Sequence, residues 1–313
     1  MLWDIVGFIL CVFVLVQAAE FAVRHISSIS RHYRISEFVG SFIIVGFVAT
    51  FPEFFVLVTS SIKGIPSLGL GAVLGNNVVD LTFVLGLVVL AGGTLIIRTK
   101  TIEHDLAYML LVTLPALVGL DGTISRIDGL VLLAAGGYYL SQLVRDARVF
   151  HKVFKNGKNG GHLVRHVAWF VVCMAIVMGA AQGVVWFAEE LARGLGIPAF
   201  LFGSVVIALG AALPEMTFAL RAMFRKNPGV ALGDLLGNVV LDATIVIGLV
   251  AVVAPITIAV DQIAVIGLAT LIAVMTALFL LRSGDRLTRL EGLSLVLLYV
   301  AFVIVQLLSG TAA

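Results

Sequence analysis

Charged residues are scarce in this chain: Asp, Glu, Lys and Arg make up 12% of its 313 residues, whereas hydrophobic residues make up 61%. Soluble globular domains carry about 25% charged residues, so this composition excludes a typical water-soluble fold. The net charge of +2 is too small to indicate a nucleic-acid-binding protein. The two cysteines, Cys11 and Cys173, both lie in apolar stretches, which excludes a disulfide framework and a cysteine-based zinc site.

Motifs of catalysis and nucleotide binding are also missing. The sequence contains no Walker loop, no nucleophile elbow and no HExxH pattern. It therefore gives no support for ATP-driven pumping or for intramembrane hydrolysis. We expect a protein that is not an enzyme and that uses no cofactor.

The chain is instead rich in apolar stretches of about 20 residues, each long enough to cross the hydrocarbon core of a membrane as a helix. We predict an all-α integral membrane protein with ten transmembrane helices that form two inverted five-helix repeats. The predicted spans are 3–23, 38–62, 68–94, 105–121, 128–144, 167–191, 199–222, 230–254, 258–281 and 290–309.

A long basic insertion, residues 146–166, separates a first half (1–145) from a second half (167–313). Such a segment is typical of a cytoplasmic loop, and a flexible hinge explains it more simply than a lipid-binding or nucleic-acid-binding site does. We expect the protein in the cell membrane. With this linker in the cytoplasm, both termini are expected on the outer side. The alternation of helices then places these basic residues on the cytoplasmic side: Arg24, Arg31, Arg34, Arg98, Lys100, Arg221, Arg225, Lys226, Arg282, Arg286 and Arg289.

The two halves contain an internal repeat. Residues 41–88 align with residues 203–250 without a gap, at an offset of 215 − 53 = 162 positions. The alignment keeps polar residues in register, which apolar low complexity does not do. Because five helices separate the two copies, the copies enter the membrane from opposite sides. Inverted repeats are typical of secondary transporters, in which a site between the halves opens alternately to either face.

One carboxylate lies near the middle of a span in each repeat: Glu53, after Pro52, and Glu215, after Pro214. An acidic residue at the centre of a membrane helix costs about 2.5–3.5 kcal/mol on insertion scales, so each is expected to have a partner or to bind a cation. The prolines remove backbone donors and leave carbonyl oxygens of the preceding turn without an intrahelical partner. Such oxygens can serve as cation ligands.

The next helix of each repeat adds a second carboxylate and an amide. Asn76 and Asp80 are four residues apart and share a helix face, as do Asn238 and Asp242. The combined set contains only oxygen ligands, which hard cations such as Ca²⁺ prefer, and several carboxylates favour a divalent ion. Alternatively, the acids pair with buried bases or remain protonated. Asp234 is expected at the cytoplasmic start of its helix.

These motifs resemble those of the cation/Ca²⁺ exchanger superfamily, nearest its Na⁺/Ca²⁺ exchanger branch. The two α-repeats of that family carry G-T-S-x-P-E and then G-S-N-x-x-(N/D). This chain has ATFPE at 49–53 and AALPE at 211–215, followed by GNNVVD at 75–80 and GNVVLD at 237–242. The resemblance covers both repeats and implies the same ten-helix fold. It also implies that Glu53 and Glu215 are the central ion ligands and that Asp80 and Asp242 line the same site.

The repeats depart from the family pattern in their hydroxyl groups. Ala49-Thr50 and Ala211-Ala212 replace Thr-Ser, and Asn76 replaces the Ser that follows Gly in the first repeat, as Asn238 does in the second. Most hydroxyls that would hold Na⁺ are therefore missing. Protons can replace Na⁺ where carboxylates cluster, since protonation relieves their repulsion.

We predict an antiporter that exchanges a divalent cation, Ca²⁺ in the first instance, for H⁺ or Na⁺ by alternating access. The predicted ligands are Glu53, Glu215, Asp80, Asp242, Asn76, Asn238 and Thr50. Mg²⁺ or Mn²⁺ as the cargo, a cation channel, and a membrane scaffold whose acids hold helices together remain alternatives. The partners expected are inorganic cations and membrane lipid, and the sequence does not fix an oligomeric state.

Overall fold

Ten helices dominate the computed structural model in the residues that it describes, which are 1–32, 49–93, 95–96, 108–147, 163–224, 228–282 and 286–310. The first five are α1 (Leu2–His32), α2 (Phe51–Ile62), α3 (Pro66–Gly92), α4 (Met109–Asp121) and α5 (Arg126–Ala147). The second five are α6 (Leu163–Leu195), α7 (Ala199–Phe224), α8 (Pro228–Leu241, continued by Asp242–Val246 and Ile247–Val253), α9 (Val260–Arg282) and α10 (Arg289–Gly310).

The all-α membrane fold predicted from the sequence is confirmed. Within the described residues, seven helices are long and apolar enough to cross a membrane, namely α1, α3, α6, α7, α8, α9 and α10, and α2 and α4 are shorter apolar helices. Each helix overlaps one predicted span. Residues 38–48 of the second predicted span and residues 148–162 of the predicted linker lie outside the described residues.

Most predicted boundaries differ from the structure by a few residues, and α1 and α6 show the difference clearly. The first helix continues to His32, beyond the predicted end at residue 23, and α6 begins at Leu163, before the predicted start at residue 167. The added turns contain the polar residues Arg24, His25, Arg165 and His166. Hydropathy marks only the apolar part of a span, whereas the backbone hydrogen bonds of a helix continue into the polar interface.

The first helices of the two halves, α1 and α6, run antiparallel along each other. Gly7 of α1 packs against Phe187 of α6, and one turn further along α1 Cys11 packs against Gly183. At the other end of the pair, Nδ1 of His25 lies 3.0 Å from Nδ1 of His166. Residue numbers thus rise along one helix as they fall along the other, which is the relationship that an inverted repeat predicts.

Two short antiparallel strand pairs also connect the halves. β1 (Leu95–Ile96) pairs with β4 (Arg286–Leu287), and β2 (Thr123–Ile124) pairs with β3 (Ile256–Thr257). The repeat offset relates β1 to β3, since 95 + 162 = 257, and β2 to β4, since 124 + 162 = 286. The repeat therefore relates the β1–β4 pair to the β2–β3 pair, as a two-fold pseudosymmetry axis between the halves requires.

Glycines allow the central helices to approach closely. A Cβ at Gly75 of α3 would overlap the backbone of Ser204 in α7. A Cβ at Gly86 of α3 would stand 2.6 Å from the carbonyl oxygen of Gly292 in α10. The symmetry-related contact joins Gly248 of α8 to the backbone of α5. Small residues at such crossings bring backbones together in membrane proteins.

The two helices at the centre are α3 and α8. In their apolar windows 83% and 78% of the residues are buried within the protein, against 28% to 50% in the other candidate spans. Those outer spans expose many large apolar side chains, which suits contact with lipid. The helices that carry Asp80 and Asp242 therefore occupy the position with the least lipid exposure.

Candidate cation site

Glu53 and Glu215 lie at equivalent positions just after a helix interruption. In each repeat a single turn residue, Thr50 or Ala212, interrupts the helix. The next helical segment begins one residue later and contains the proline and then the glutamate. Glu53 is 3% exposed, and within the described residues neither of its carboxylate oxygens has a hydrogen-bond partner. Glu215 is 6% exposed, and its Oε2 likewise has none. Both carboxylates are buried with unused ligand capacity.

Asp80 and Asp242 each begin a π-helical turn. These turns cover Asp80–Val84 and Asp242–Val246, at the repeat offset from one another. A π turn widens the helix locally and is frequent at functional sites. In each case a threonine hydroxyl, that of Thr82 or Thr244, donates a hydrogen bond to the carbonyl four residues earlier. Both acids lie inside the protein, at 0% and 1% exposure.

The paired threonines were missed by the sequence analysis. The repeat itself contains the signal, because 82 + 162 = 244 and both residues follow the aspartate by two positions. Their hydroxyls bond the backbone and help to close the ladder around the π turn. Their visible role is to support the helix that positions each aspartate.

Asn76 connects the acids of the two repeats. Its Nδ2 donates a hydrogen bond of 3.2 Å to Oδ2 of Asp80, one turn along the same helix. The same side chain also interacts with the carboxylate of Asp242 in the other repeat. Its amide oxygen has no partner within the described residues. An amide between two acids stabilises their charge and keeps an oxygen available for a cation.

The four predicted carboxylates converge. Glu53 interacts electrostatically with Asp242, Asp80 and Glu215, and these three also interact with one another. All six pairs among the four acids are thus within electrostatic range, although the acids come from four helical segments in two repeats. Like charges held together in a medium of low dielectric repel strongly, and a bound cation or proton relieves that repulsion.

The alternative of buried salt bridges does not fit the described part of the chain. The ion pairs found there join residues three or four positions apart in the chain and involve Asp4, Glu20, Glu189 and Glu190, and none involves the four converging acids. Equally, no three Asp, Glu, His or Cys side chains among these residues are grouped closely enough to hold a metal ion. The acids therefore surround a common region without forming a closed coordination shell.

The remaining predicted ligands are buried beside the acids. Thr50 is 2% exposed and occupies the turn before Pro52, and Asn238 is 3% exposed and lines a cavity next to Glu215. Sequence analysis missed Asn77, which is fully buried and has no partner for either side-chain polar atom among the described residues. The residue at the equivalent position of the second repeat is Val239, so the repeat alignment did not single out Asn77 as a paired polar residue.

Two cavities reach the site, and they occupy equivalent places in the two repeats. The larger, of about 390 Å³, is lined by Pro214, Glu215 and Phe218 of α7 together with residues of α1 and α8. The smaller, of about 10 Å³, is lined by the mates Pro52, Glu53 and Val56 of α2. Apolar side chains close the smaller one: Val12, Leu15, Val184 and Ile207. Among the described residues, which leave out 33–48, the cavity beside Glu215 is therefore open and the cavity beside Glu53 is closed.

Comparison with known proteins agrees with this architecture. The profile of the family described as sodium/calcium exchanger protein matches residues 3–144 and 165–308. The putative antiporter CaxA of Alkalimonas amylolytica is 24% identical over 92% of this chain and 93% of its own. A solved structure of the sodium-calcium exchanger NCX_Mj superposes with a TM-score of 0.66 and 24% identity, over 97% of this chain and 98% of the other. The H⁺/Ca²⁺ exchanger CAX superposes with a TM-score of 0.75 and 17% identity, over 99% and 88%.

Proposed function

Since this chain belongs to the sodium/calcium exchanger protein family, we propose that it is a secondary active antiporter that exchanges Ca²⁺ for another cation by alternating access. One observation carries the proposal: four buried carboxylates, two from each inverted repeat, interact with one another at the centre of the protein. A membrane protein retains such a group when cations neutralise it.

The proposed ligands of the cation are Glu53 and Glu215, together with Asp80 and Asp242. Asn76 and Asn238 contribute neutral oxygens, and Thr50 completes the set at the first helix interruption. Carboxylate and amide oxygens suit Ca²⁺, which accepts six to eight oxygen ligands in flexible geometry. The names of the similar proteins, a sodium-calcium exchanger and an H⁺/Ca²⁺ exchanger, favour Ca²⁺ over Mg²⁺ or Mn²⁺ as the cargo.

The charge of the site enforces exchange. An empty site carries several negative charges. Changing its access from one face to the other would leave these charges uncompensated in the low-dielectric centre of the membrane, at a cost of many kcal/mol. The protein therefore changes its open side when the carboxylates are neutralised by one cargo or the other. The open cavity beside Glu215 and the closed one beside Glu53 correspond to one of the two end states.

We further propose that H⁺ is the counter-ion. Na⁺ sites need several neutral oxygens, and the hydroxyls nearest the aspartates, those of Thr82 and Thr244, already bond the backbone. Unpartnered carboxylate oxygens remain on all four acids. Protons need only these oxygens. The proposed site thus has more positions for protons than for sodium ions.

Flux measurements in proteoliposomes test the proposal. Purified protein is reconstituted, and ⁴⁵Ca²⁺ uptake is measured with an outward H⁺ gradient, with an outward Na⁺ gradient, or with neither. We expect uptake driven by the H⁺ gradient that saturates with Ca²⁺. Uptake driven by Na⁺ alone would refute proton coupling and leave Ca²⁺ exchange intact. Flux that is independent of any counter-gradient and does not saturate would indicate a channel.

We place the protein in the cell membrane, with the linker on the cytoplasmic side and both termini outside. The loop charges support this orientation through the positive-inside rule. The open cavity is lined by Arg24 and Arg221, both of which the rule assigns to the cytoplasmic side. The proposed state is therefore open to the cytoplasm. Protease accessibility of a tag at either terminus in intact cells checks the orientation.

A further inference from the structure

A fifth acid, Asp234, lies on the wall of the open cavity. The sequence suggested a position at the start of its helix, but the structure places Asp234 in the second turn of α8, which begins at Pro228. Asp234, Asn238 and Asp242 follow one another at intervals of four residues and thus share one helix face. Asp234 and Asn238 both line the cavity. The face therefore leads from the open cavity to the central acids.

The other repeat has no acid at this position. The mate of Asp234 is Ala72, since 234 − 162 = 72. Ala72 is 3% exposed and packs in an apolar cluster with Leu68, Phe202 and Ile207. It lines the closed cavity, whereas Asp234 lines the open one. The two cavities are equivalent in position and differ in charge.

The charges around the open cavity separate by depth. Arg24 forms an ion pair with Glu20 at 3.2 Å, and 61% of its side chain is exposed, so its charge is largely compensated at the solvent side. Asp234 interacts electrostatically with Glu215 and with Asp80. Arg221, the other base on the wall, is also exposed, so the positive charges lie at the solvent side and the negative charges of Asp234 and Glu215 lie deeper. Field lines concentrate in clefts of this kind and raise the local concentration of cations.

The carboxylate of Glu215 also lines the open cavity, and one of its oxygens is available to bind a cation. Glu215 lines the cavity, it is 6% exposed, and its Oε2 has no hydrogen-bond partner among the described residues. Asp234 and Asn238 of α8 add two further oxygen-bearing side chains to the cavity wall. The cavity of about 390 Å³ has room for a cation that retains part of its hydration shell.

We propose that Asp234, on the wall of the open cavity, forms with Glu215 a second binding position for a divalent cation, which shares Glu215 with the central site. This inference rests on the proposed function. The site receives cations only from the face that carries Arg24 and Arg221. Because the other repeat has Ala72 in its place, the two faces of the exchanger differ in their affinity for the cation.

Transport measured from each face tests this inference. Right-side-out and inside-out membrane vesicles containing the protein are compared, and the face of the open cavity is identified by the reaction of an introduced Phe218→Cys with a membrane-impermeant thiol reagent. With Asp234→Asn, we expect the half-saturating Ca²⁺ concentration to rise about tenfold at this face and to change less than twofold at the other. Thr217→Ala, a change on the same wall, should shift neither value by more than twofold.

The outcomes separate this inference from the proposed function. A rise of equal size at both faces would overturn the inference and assign Asp234 to the central site, and no change at either face would also overturn it. If the unsubstituted protein exchanges no Ca²⁺ in either vesicle type, the proposed function fails instead.

A second measurement does not depend on the folding of Asp234→Asn. In the Phe218→Cys variant, with Asp234 retained, Ca²⁺ should slow modification of the cysteine by a positively charged thiol reagent at least fivefold. Adding Glu215→Gln should leave part of this protection, because Asp234 remains. Full reactivity of Phe218→Cys at saturating Ca²⁺ would refute a cation site in this cavity.

Discussion

Asn76 donates a 3.2 Å hydrogen bond to Asp80 of its own repeat, and the same side chain interacts with Asp242 of the opposite repeat. It is 1% exposed, so water does not replace these contacts. A neutral donor between two acids reduces their repulsion without occupying the cation site. The interaction couples the two repeats at the point where the cation is proposed to bind.

Replacing this amide should weaken cation binding more than it weakens the fold. For Asn76→Ala we expect the half-saturating Ca²⁺ concentration in ⁴⁵Ca²⁺ uptake to rise about tenfold, because a hydrogen bond to a charged group contributes about 1.5–3 kcal/mol. Gln306→Ala is the matched control. Gln306 is also buried, at 3% exposure, its Nε2 has no partner among the described residues, and it lies on α10, so its truncation should change this value less than twofold. Equal effects of the two variants would contradict the assignment of Asn76 to the site.

Neutralising either glutamate should abolish exchange. Glu53→Gln and Glu215→Gln each remove one negative charge and preserve size, and we expect Ca²⁺ uptake to fall at least a hundredfold. Since neither oxygen of Glu53 has a partner within the described residues, Glu53→Gln should also raise the midpoint of thermal unfolding in detergent. Glu189→Gln, at a partly exposed ion pair with Arg193, serves as the control and should leave uptake unchanged. Uptake at the normal rate in Glu53→Gln would refute the proposed ligand set.

Close contact between the repeats should make Gly75 intolerant of a side chain. A methyl group there would overlap the backbone of Ser204, which cannot move without shifting α7. Overpacking of this kind costs about 1–3 kcal/mol, so Gly75→Ala should lower the unfolding midpoint by several degrees and reduce transport. Gly137→Ala is the control, because no atom lies within 4 Å of a Cβ at Gly137. An unchanged unfolding midpoint in Gly75→Ala would show that this helix crossing is looser than described.

The difference between the two cavities should be visible in cysteine reactivity. Phe218 and Val56 are repeat mates, since 56 + 162 = 218, yet Phe218 is 46% exposed and Val56 is 2% exposed. Without Ca²⁺, Phe218→Cys should react with a membrane-impermeant thiol reagent at least tenfold faster than Val56→Cys, and from one face only. These variants carry Cys11→Ala and Cys173→Ala to remove background labelling. Equal rates from opposite faces would indicate that both states are similarly populated.

Much of the fold could be predicted because the sequence contains the same pattern of apolar and polar residues in two copies. Apolar stretches gave the position of each helix, and the conserved offset between Glu53 and Glu215 gave the inverted arrangement. The exchanger family and the all-α membrane fold are both confirmed. All four predicted acids are buried and lie within electrostatic range of one another, and their role as cation ligands stays a prediction.

What escaped prediction depends on geometry that one sequence does not encode visibly. A π turn at Asp80 differs from an α turn by one residue per hydrogen-bonded ring, and apolar periodicity is too coarse to show it. Asp234 was predicted at the cytoplasmic start of its helix, and the structure places it in the second turn of α8; its position on a cavity wall follows from tertiary packing, which the sequence pattern does not show. Which cavity is open follows from a balance between two states of one sequence, so no local pattern can reveal it.

The strand pairs that join the halves have a consequence for biogenesis. Ile124 of β2 pairs with Ile256, which is synthesised 132 residues later (256 − 124). The sequence separation between β1 and β4 is larger still. At about 5–20 residues per second, a ribosome takes on the order of ten seconds to make that stretch. During this time the nascent first half must remain in the bilayer with two unpaired strand edges and without the helices that cover its acids. We therefore expect a chain truncated after residue 147 to be captured by membrane chaperones or proteases, since the first half completes its fold only when the second half arrives.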